Sequence, residues 1–319
     1  MRISAFLVYC LAAVMLTGCA YVNVPLMREQ QPLAEQVLEG EGAKKLLIID
    51  ISGTIGEQAK GGGLLGEGKP SMVSLVRESL RKAERDPKVA GLILRINSPG
   101  GTVTASDIIR HDIAEFRKRR NLPVSACIMG IGASGGYYVA TAADDITAHP
   151  TAVTGSIGVL LMTFNVEGLM GKIGVEEKTI KSGERKDLLS PFRRATPDEE
   201  RLVQGIIDQF QGRFVEMILG RPGNRLTREE LLPVADGRVF SAGDALKSGL
   251  IERIGYLDDV IASLRERVGD PDARVVTYYR PGSYKGSIYA ESADEGSMTE
   301  LLGGFEATGG GRFMYLWRP

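Results

Sequence analysis

Apolar residues fall along this chain in short unbroken runs, with helically spaced segments between them. Leu46-Leu47-Ile48-Ile49-Asp50-Ile51, Gly91-Leu92-Ile93-Leu94-Arg95-Ile96 and the stretch from Pro123 to Met129 are each of strand length and apolar at nearly every position. That is the pattern of strands covered on both faces. The intervening segments 72–85 and 105–119 carry apolar residues at helical spacing. Strands alternating with helices predict parallel βαβ units and an α/β fold.

The second half continues the alternation. A helix is expected to open at Ser134, strands near 145–148 and 175–180, and a long helix from Pro197 to about Leu219. That helix has a clear start, with Thr196 as cap, Pro197 in the first turn and Glu199 as the capping-box acid. Thr227 with Glu230 opens a shorter helix by the same device, and 241–247 and 257–268 read as further helices. A strand is expected at 275–279, after which glycine, serine and tyrosine dominate. Beyond Gly309-Gly310-Gly311 the tail turns apolar again in Phe313-Met314-Tyr315-Leu316-Trp317. An apolar end on a glycine leash is expected to dock, here on a neighbouring subunit.

At the other end, Arg2 precedes an apolar stretch from Ile3 to Leu16, too short to span a bilayer comfortably and of signal-peptide type. It closes with Leu16-Thr17-Gly18-Cys19, which resembles the bacterial lipobox; Cys19 is then the lipidated first residue of the mature chain. The other reading is an ordinary signal peptide with an incidental cysteine. Pro25 and Pro32 in a mixed polar stretch suit a tether between lipid and domain.

Composition narrows the classes of function. With 319 residues, 43% hydrophobic and 25% charged, the chain has material for a sizeable core. A formal net charge of −1 leaves no electrostatic footprint for nucleic acid. The three cysteines, Cys10, Cys19 and Cys127, make no disulfide framework, and Cys127 lies in an apolar run and reads as core.

The candidate chemistry lies in glycine-rich loops after the strands. Gly63-Leu64-Leu65-Gly66-Glu67-Gly68-Lys69-Pro70 nearly matches a phosphate-binding loop, but Pro70 stands where a magnesium-binding hydroxyl is needed, so a surface loop is the better account. Asn97-Ser98-Pro99-Gly100-Gly101 follows one strand, and Ala133-Ser134-Gly135-Gly136-Tyr137-Tyr138 follows another. Either loop alone reads equally as a plain turn. Together, at the carboxyl ends of parallel strands, they offer a serine nucleophile and the amides of Gly101 and Gly135 as an oxyanion pair.

A nucleophilic serine needs a base. The chain has two histidines, His111 and His149, and the best-placed base is instead Lys186, in Lys181-Ser182-Gly183-Glu184-Arg185-Lys186-Asp187. A lysine serves only as a free amine, which burial favours. Leu188 and Leu189 suit such burial, while Lys181, Arg185, Arg193 and Arg194 suit an ordinary basic surface loop.

These blocks, with Thr154-Gly155-Ser156-Ile157-Gly158-Val159 and Asp236-Gly237-Arg238-Val239-Phe240, resemble the signal peptide peptidase A type of serine peptidases over roughly Lys44 to Val260. The resemblance implies a Clp-protease and crotonase-like fold of repeated ββα and βαβ units, a mostly parallel sheet flanked by helices. It makes Ser134 the nucleophile, Lys186 the general base, Gly101 and Gly135 the oxyanion donors, and Ser156 a hydroxyl orienting the lysine; Ser156 alone also reads as a turn residue. It implies a serine endopeptidase for extended hydrophobic peptides, such as released signal peptides, with neither cofactor nor metal. It also implies a short form that assembles as a bowl-like tetramer or octamer. The domain reading is a signal peptide at 1–18, a lipidated tether at 19–43, the peptidase domain at 44–266 and a tail at 267–319. Cys19 implies a membrane-anchored lipoprotein of the bacterial cell envelope, facing the periplasm where there are two membranes. Two other functions stay open at this point, an acyl-CoA enzyme on the same fold and a lipoprotein scaffold without catalysis.

Overall fold

The computed structural model describes residues 32–59, 70–281, 287–290 and 312–317. The chain enters on β1 (Ala34–Glu39) and β2 (Lys45–Ser52), then runs through α1 (Met72–Glu84), β3 (Val89–Ser98) and the short β4 (Gly100–Thr102) into α2 (Val103–Arg120). Next come β5 (Val124–Ala133), α3 (Gly135–Ala140), β6 (Asp145–Ala148), β7 (Val153–Gly155) and β8 (Leu160–Leu161). The remainder is α4 (Glu167–Lys172), α5 (Pro197–Leu219), α6 (Arg228–Leu231), β9 (Val239–Ser241), α7 (Ala242–Lys247), β10 (Arg253–Ile254), α8 (Leu257–Val268), β11 (Arg274–Tyr279) and β12 (Phe313–Leu316).

Among the described residues, nine strands form one sheet with the path β1-β11-β2-β3-β5-β6-β10, and β7 branches from β5 to meet β9. The central pairs are parallel, with Leu47 opposite Leu92 and Leu94 opposite Ala126. The unbroken apolar runs serve both faces. Leu47, Ile49, Ile51, Leu92, Leu94 and Ile96 point into a large core with α1, α2, α3 and α5. Their neighbours Leu46, Ile48, Ile93 and Cys127 point the other way, onto Leu257, Val260, Ile261 and Leu264 of α8. Successive strand residues alternate faces, so only an all-apolar run satisfies two helix layers at once. Cys127 is fully buried, as expected of a core thiol, and burial pushes its pKa up to about 12.

The capping signals hold. Thr196 Oγ1 accepts from the Glu199 amide at 3.3 Å while Glu199 Oε2 accepts from the Thr196 amide at 2.9 Å, and Thr227 with Glu230 repeats the box.

Four expectations are corrected. The tether of 19–43 extends too far, because Ala34–Glu39 is a sheet strand, antiparallel to β11 with Val37 opposite Val276. By the same pairing the domain runs past 266, for β11 lies parallel to β2. The strand expected near 175–180 does not form; those residues are open chain, with Ile180 92% exposed. The apolar tail docks as expected, but on this chain's own β4 and β8 rather than on a neighbour.

Candidate active site

Ser134 stands at the hinge between β5 and α3. Its backbone is held at φ 52° and ψ −114°, a conformation that non-glycine residues rarely adopt, and its side chain is 1% exposed. Two backbone bonds fix the turn: the Ser134 amide donates to Gly155 O at 2.7 Å, and the Tyr138 amide donates to Ser134 O at 2.8 Å. Such a sharp strand-to-helix turn lifts the hydroxyl off the end of the sheet and leaves the first helical amides without intrahelical partners.

The glycines after Ser134 are required by contact. A Cβ on Gly135 would lie 2.5 Å from Ser106 Oγ, and one on Gly136 would lie 2.6 Å from Ser98 O. The β3–β4 loop therefore presses directly on the start of α3.

That loop is itself held from below. Ser98, fully buried, donates from Oγ to Gly53 O at 2.6 Å and accepts from the Gly100 amide at 3.1 Å. Asn97 Oδ1 accepts from the Ile131 amide at 3.2 Å, which ties the loop to β5. The Ile55 amide donates to Gly100 O at 2.9 Å, and the Thr102 amide donates to Ile55 O at 3.0 Å. Strand groups alternate between edges, so with Gly100 O and Thr102 N turned to Ile55, the N–H of Gly101 faces the opposite edge. A Cβ on Gly101 would stand 1.9 Å from Ile55 O, so only glycine fits there.

Across that opposite edge lies β12. It runs antiparallel to β4, with Met314 opposite Thr102, Tyr315 opposite Gly101 and Leu316 opposite Gly100, and on its other side Phe313 and Met314 pair with Leu161 and Leu160 of β8. Tyr315 is fully buried, its ring 5.0 Å from Tyr138 and 4.8 Å from Phe214, and its hydroxyl donates to Phe210 O at 2.8 Å. Burial holds this phenol above its usual pKa, so it remains a donor.

Ser156 ends the neighbouring strand β7, whose Gly155 sits opposite Ala133. It too has a positive φ, 50°, is 7% exposed, and donates its amide to Arg238 O at 2.7 Å. Arg238 pairs with Asp236, and that pairing lowers the Asp236 carboxyl to about 2. The structure thus gathers Ser134, Gly135, Gly101 and Ser156 at the carboxyl ends of β3, β5 and β7.

Lys186 is not joined to this group by any hydrogen bond among the described residues. The burial expected of a free-amine lysine is not met, since Lys186 is exposed, and among the described residues no hydrogen bond or ion pair joins it to Ser134 or Ser156. The charges around it explain its position. Asp187 pairs with Lys181 and Arg193 at 2.7 and 2.8 Å, and Arg193 reaches on to Glu199 at 2.6 Å. These pairs clamp the segment to the head of α5 and leave Lys186 outside the clamp. The Arg193 guanidinium holds Asp187 well below the usual carboxylate range and Glu199 at about 2. Cys19 lies outside the described residues.

The supporting roles of Ile55, Asn97 and Ser98 were not apparent from the sequence. Asn97 and Ser98 stand in the glycine motif and were legible as polar residues before a turn; nothing around Ile55 marks it.

The family model described as peptidase family S49 matches residues 116–269. A protein of Enterococcus faecium, provisionally named signal peptide peptidase SppA, is 32% identical over 244 residues, which are 76% of this chain and 70% of that protein. Protease 4 of Salmonella typhi is 33% identical over 220 residues, 68% of this chain and 35% of that protein. The chloroplastic serine protease SPPA of Arabidopsis thaliana is 31% identical over 237 residues, 74% of this chain and 34% of that protein. Among solved structures, a ClpP1 variant of Listeria monocytogenes aligns at a TM-score of 0.42 with 17% identity, over 66% of this chain and 92% of that one.

Proposed function

Since the chain belongs to peptidase family S49 and is a serine endopeptidase, we propose that Ser134 is its nucleophile, Lys186 its general base, and the Gly101 and Gly135 amides its oxyanion donors. Ser134 Oγ attacks the carbonyl carbon of a peptide while Lys186 takes its proton. The developing oxyanion meets the two amides, which are aimed where charge appears only in the transition state. The lysine then protonates the leaving amine, and a water clears the acyl-enzyme. The Ser156 hydroxyl, one strand away from Ser134, orients the incoming amine. An acyl-CoA reaction has no support from the family.

The observation that carries this reading is the pairing of a strained, buried Ser134 with a β4 edge whose Gly101 N–H faces outward. The same edge, with β8 beyond it, suits an extended peptide bound by backbone pairing. The substrate class is therefore an extended hydrophobic peptide. Peptides near a membrane surface, released signal peptides among them, are reached through lipidated Cys19 in a cell-envelope lipoprotein; among the described residues no helix is long and apolar enough to cross a membrane.

Purified protein treated with a fluorophosphonate should gain one adduct on the peptide containing Ser134. Ser134→Ala should lose the adduct and at least about a thousandfold in peptide hydrolysis. Hydrolysis undiminished in Ser134→Ala would overturn the assignment.

A further inference from the structure

The Ser156 turn is locked on three sides. A φ of 50° is strained for a serine, and Gly155 before it sits at φ 87°, where a Cβ would stand 2.6 Å from the Phe240 ring. Strain of this kind persists only where neighbours over-determine the backbone. Here the first neighbour is the loop Ala235-Asp236-Gly237-Arg238, a motif with no part so far in the chemistry. The Ser156 amide donates to Arg238 O, and Gly158 lies so near Gly237 that a Cβ on it would be 3.3 Å from the Gly237 Cα. Asp236 folds the loop into that shape, its Oδ1 accepting from the Arg238 amide at 3.1 Å and from Arg238 Nε at 2.8 Å. The last point comes from α5. Gln211 Nε2 donates to Ala235 O at 2.8 Å and to Ile157 O at 3.3 Å, one bond on each side of the joint. Two carbonyl acceptors fix which end of the amide is the nitrogen. Gln211 Oε1 is buried and has no partner among the described residues. A methionine would fill the same space without an unpaired acceptor, so the amide lowers stability and marks a place where holding the turn matters more. Ser156 itself is nearly buried, and its hydroxyl makes no hydrogen bond among the described residues, which leaves it open to an amine.

We propose that Gln211 is the positioning residue for Ser156: by pinning the 235–238 loop to the 156–158 turn, it holds the strained backbone that aims Ser156 Oγ at the incoming lysine amine. This rests on the roles given to Ser156 and Lys186 above. Gln211 bonds to Ile157 and Ala235 and to neither Ser134 nor Gly101, so its effect on the reaction passes through the turn. Peptide binding draws on the β4 edge, which the turn does not form. Losing Gln211 therefore slows proton transfer and leaves binding in place. The Asp236–Phe240 motif gains a role on the same terms, as the brace against which Ser156 is set.

The test is a double-mutant cycle in the full chain, read as kcat and KM on an internally quenched hydrophobic peptide. Gln211→Met keeps the length of the side chain and removes both donated bonds. It should lower kcat about tenfold and leave KM within about twofold. Ser156→Ala should lose at least as much, and the double variant should be no slower than Ser156→Ala alone, because nothing is then left to position. Gly237→Ala gives a second route should Gln211→Met fail to fold. Its φ is 89° with no atom within 4 Å of the added Cβ, so it disturbs only the backbone of the brace. It should show the same loss of kcat in the wild-type background and none beyond Ser156→Ala. Losses that multiply in the double variants, to about a hundredfold, or a wild-type kcat in Gln211→Met, overturn the proposal and leave the Ser156 role standing. Full activity in Ser156→Ala overturns the role of Ser156 itself, and that of Gln211 with it.

Discussion

At the scale of single residues, the site depends on groups that never touch a substrate. Ser98 is the clearest, since one hydroxyl both donates to Gly53 O and accepts from the Gly100 amide beneath the oxyanion loop. Ser98→Ala leaves a buried amide and a half-buried carbonyl without this partner, a loss of about 1–3 kcal/mol. Part of that loss should appear as a lower Tm. The rest should loosen the Gly101 amide and lower kcat with little change in KM, because the loop's aim matters most when charge appears on the carbonyl oxygen. Steady-state kinetics beside thermal unfolding separate the two effects; an unchanged kcat would remove Ser98 from its positioning role. Gly100 is bound by a harder constraint. At φ 105°, with Gly135 N 2.7 Å from any Cβ, Gly100→Ala should abolish peptide hydrolysis even where circular dichroism shows the fold retained.

At the scale of elements, the segment carrying Lys186 is held by charge rather than by apolar packing. Asp187, Arg193 and Glu199 bind it to the head of α5, and the pairing depresses both carboxyl pKa values. Depressed carboxylates contribute their anchoring in full above the ordinary range near 4 and lose it as pH falls through their folded values. Hydrogen exchange at 183–192 should therefore be flat from pH 8 to about 5 and accelerate, after correction for intrinsic rate, between about 4 and 2. Arg193→Gln should bring the fast exchange to pH 7; protection unchanged in that variant would show the clamp to be unimportant. The same contrast explains what could be read from the sequence. The core strands were legible because two covered faces demand unbroken apolar runs, and α5 and α6 because their capping boxes are local. Val175-Glu176-Glu177-Lys178-Thr179-Ile180 has β-branched ends but no strand to pair with, so propensity alone misled. Ala34–Glu39 failed in the opposite sense, as a polar edge strand that exists only through β11, far along the chain. Ser134, Gly101, Gly135 and Ser156 were legible as a group through their motifs; the occupant of their groove was not, because β12 reaches it through a pairing that no local pattern encodes.

At the scale of the whole molecule, the contrast between a buried Ser134 and an exposed Lys186 bears on assembly. Ser134 is buried at the end of the sheet, while Lys186 lies exposed on a segment that also exposes Phe164, Leu169, Ile173, Val175, Ile180 and Phe192. Exposed apolar side chains crowded into one segment are costly in water and are usually covered by a partner. A second copy that covers this segment also offers a way to bring a lysine amine to a serine and to bury it there, which is the environment that favours the free base. On this reading the chain is a homo-oligomer whose centres each draw on two subunits. Ser134→Ala and Lys186→Ala should each be inactive, and mixing them under conditions that exchange subunits should restore activity, because some interfaces then join an intact serine to an intact lysine. For random pairing of equal amounts across a two-subunit site, about a quarter of wild-type activity is expected when each centre uses one copy for each residue. Light scattering on wild type should give a mass above that of the monomer. A monomeric mass, or a mixture as inactive as its components, would mean that Lys186 reaches Ser134 within one chain or that another group is the base.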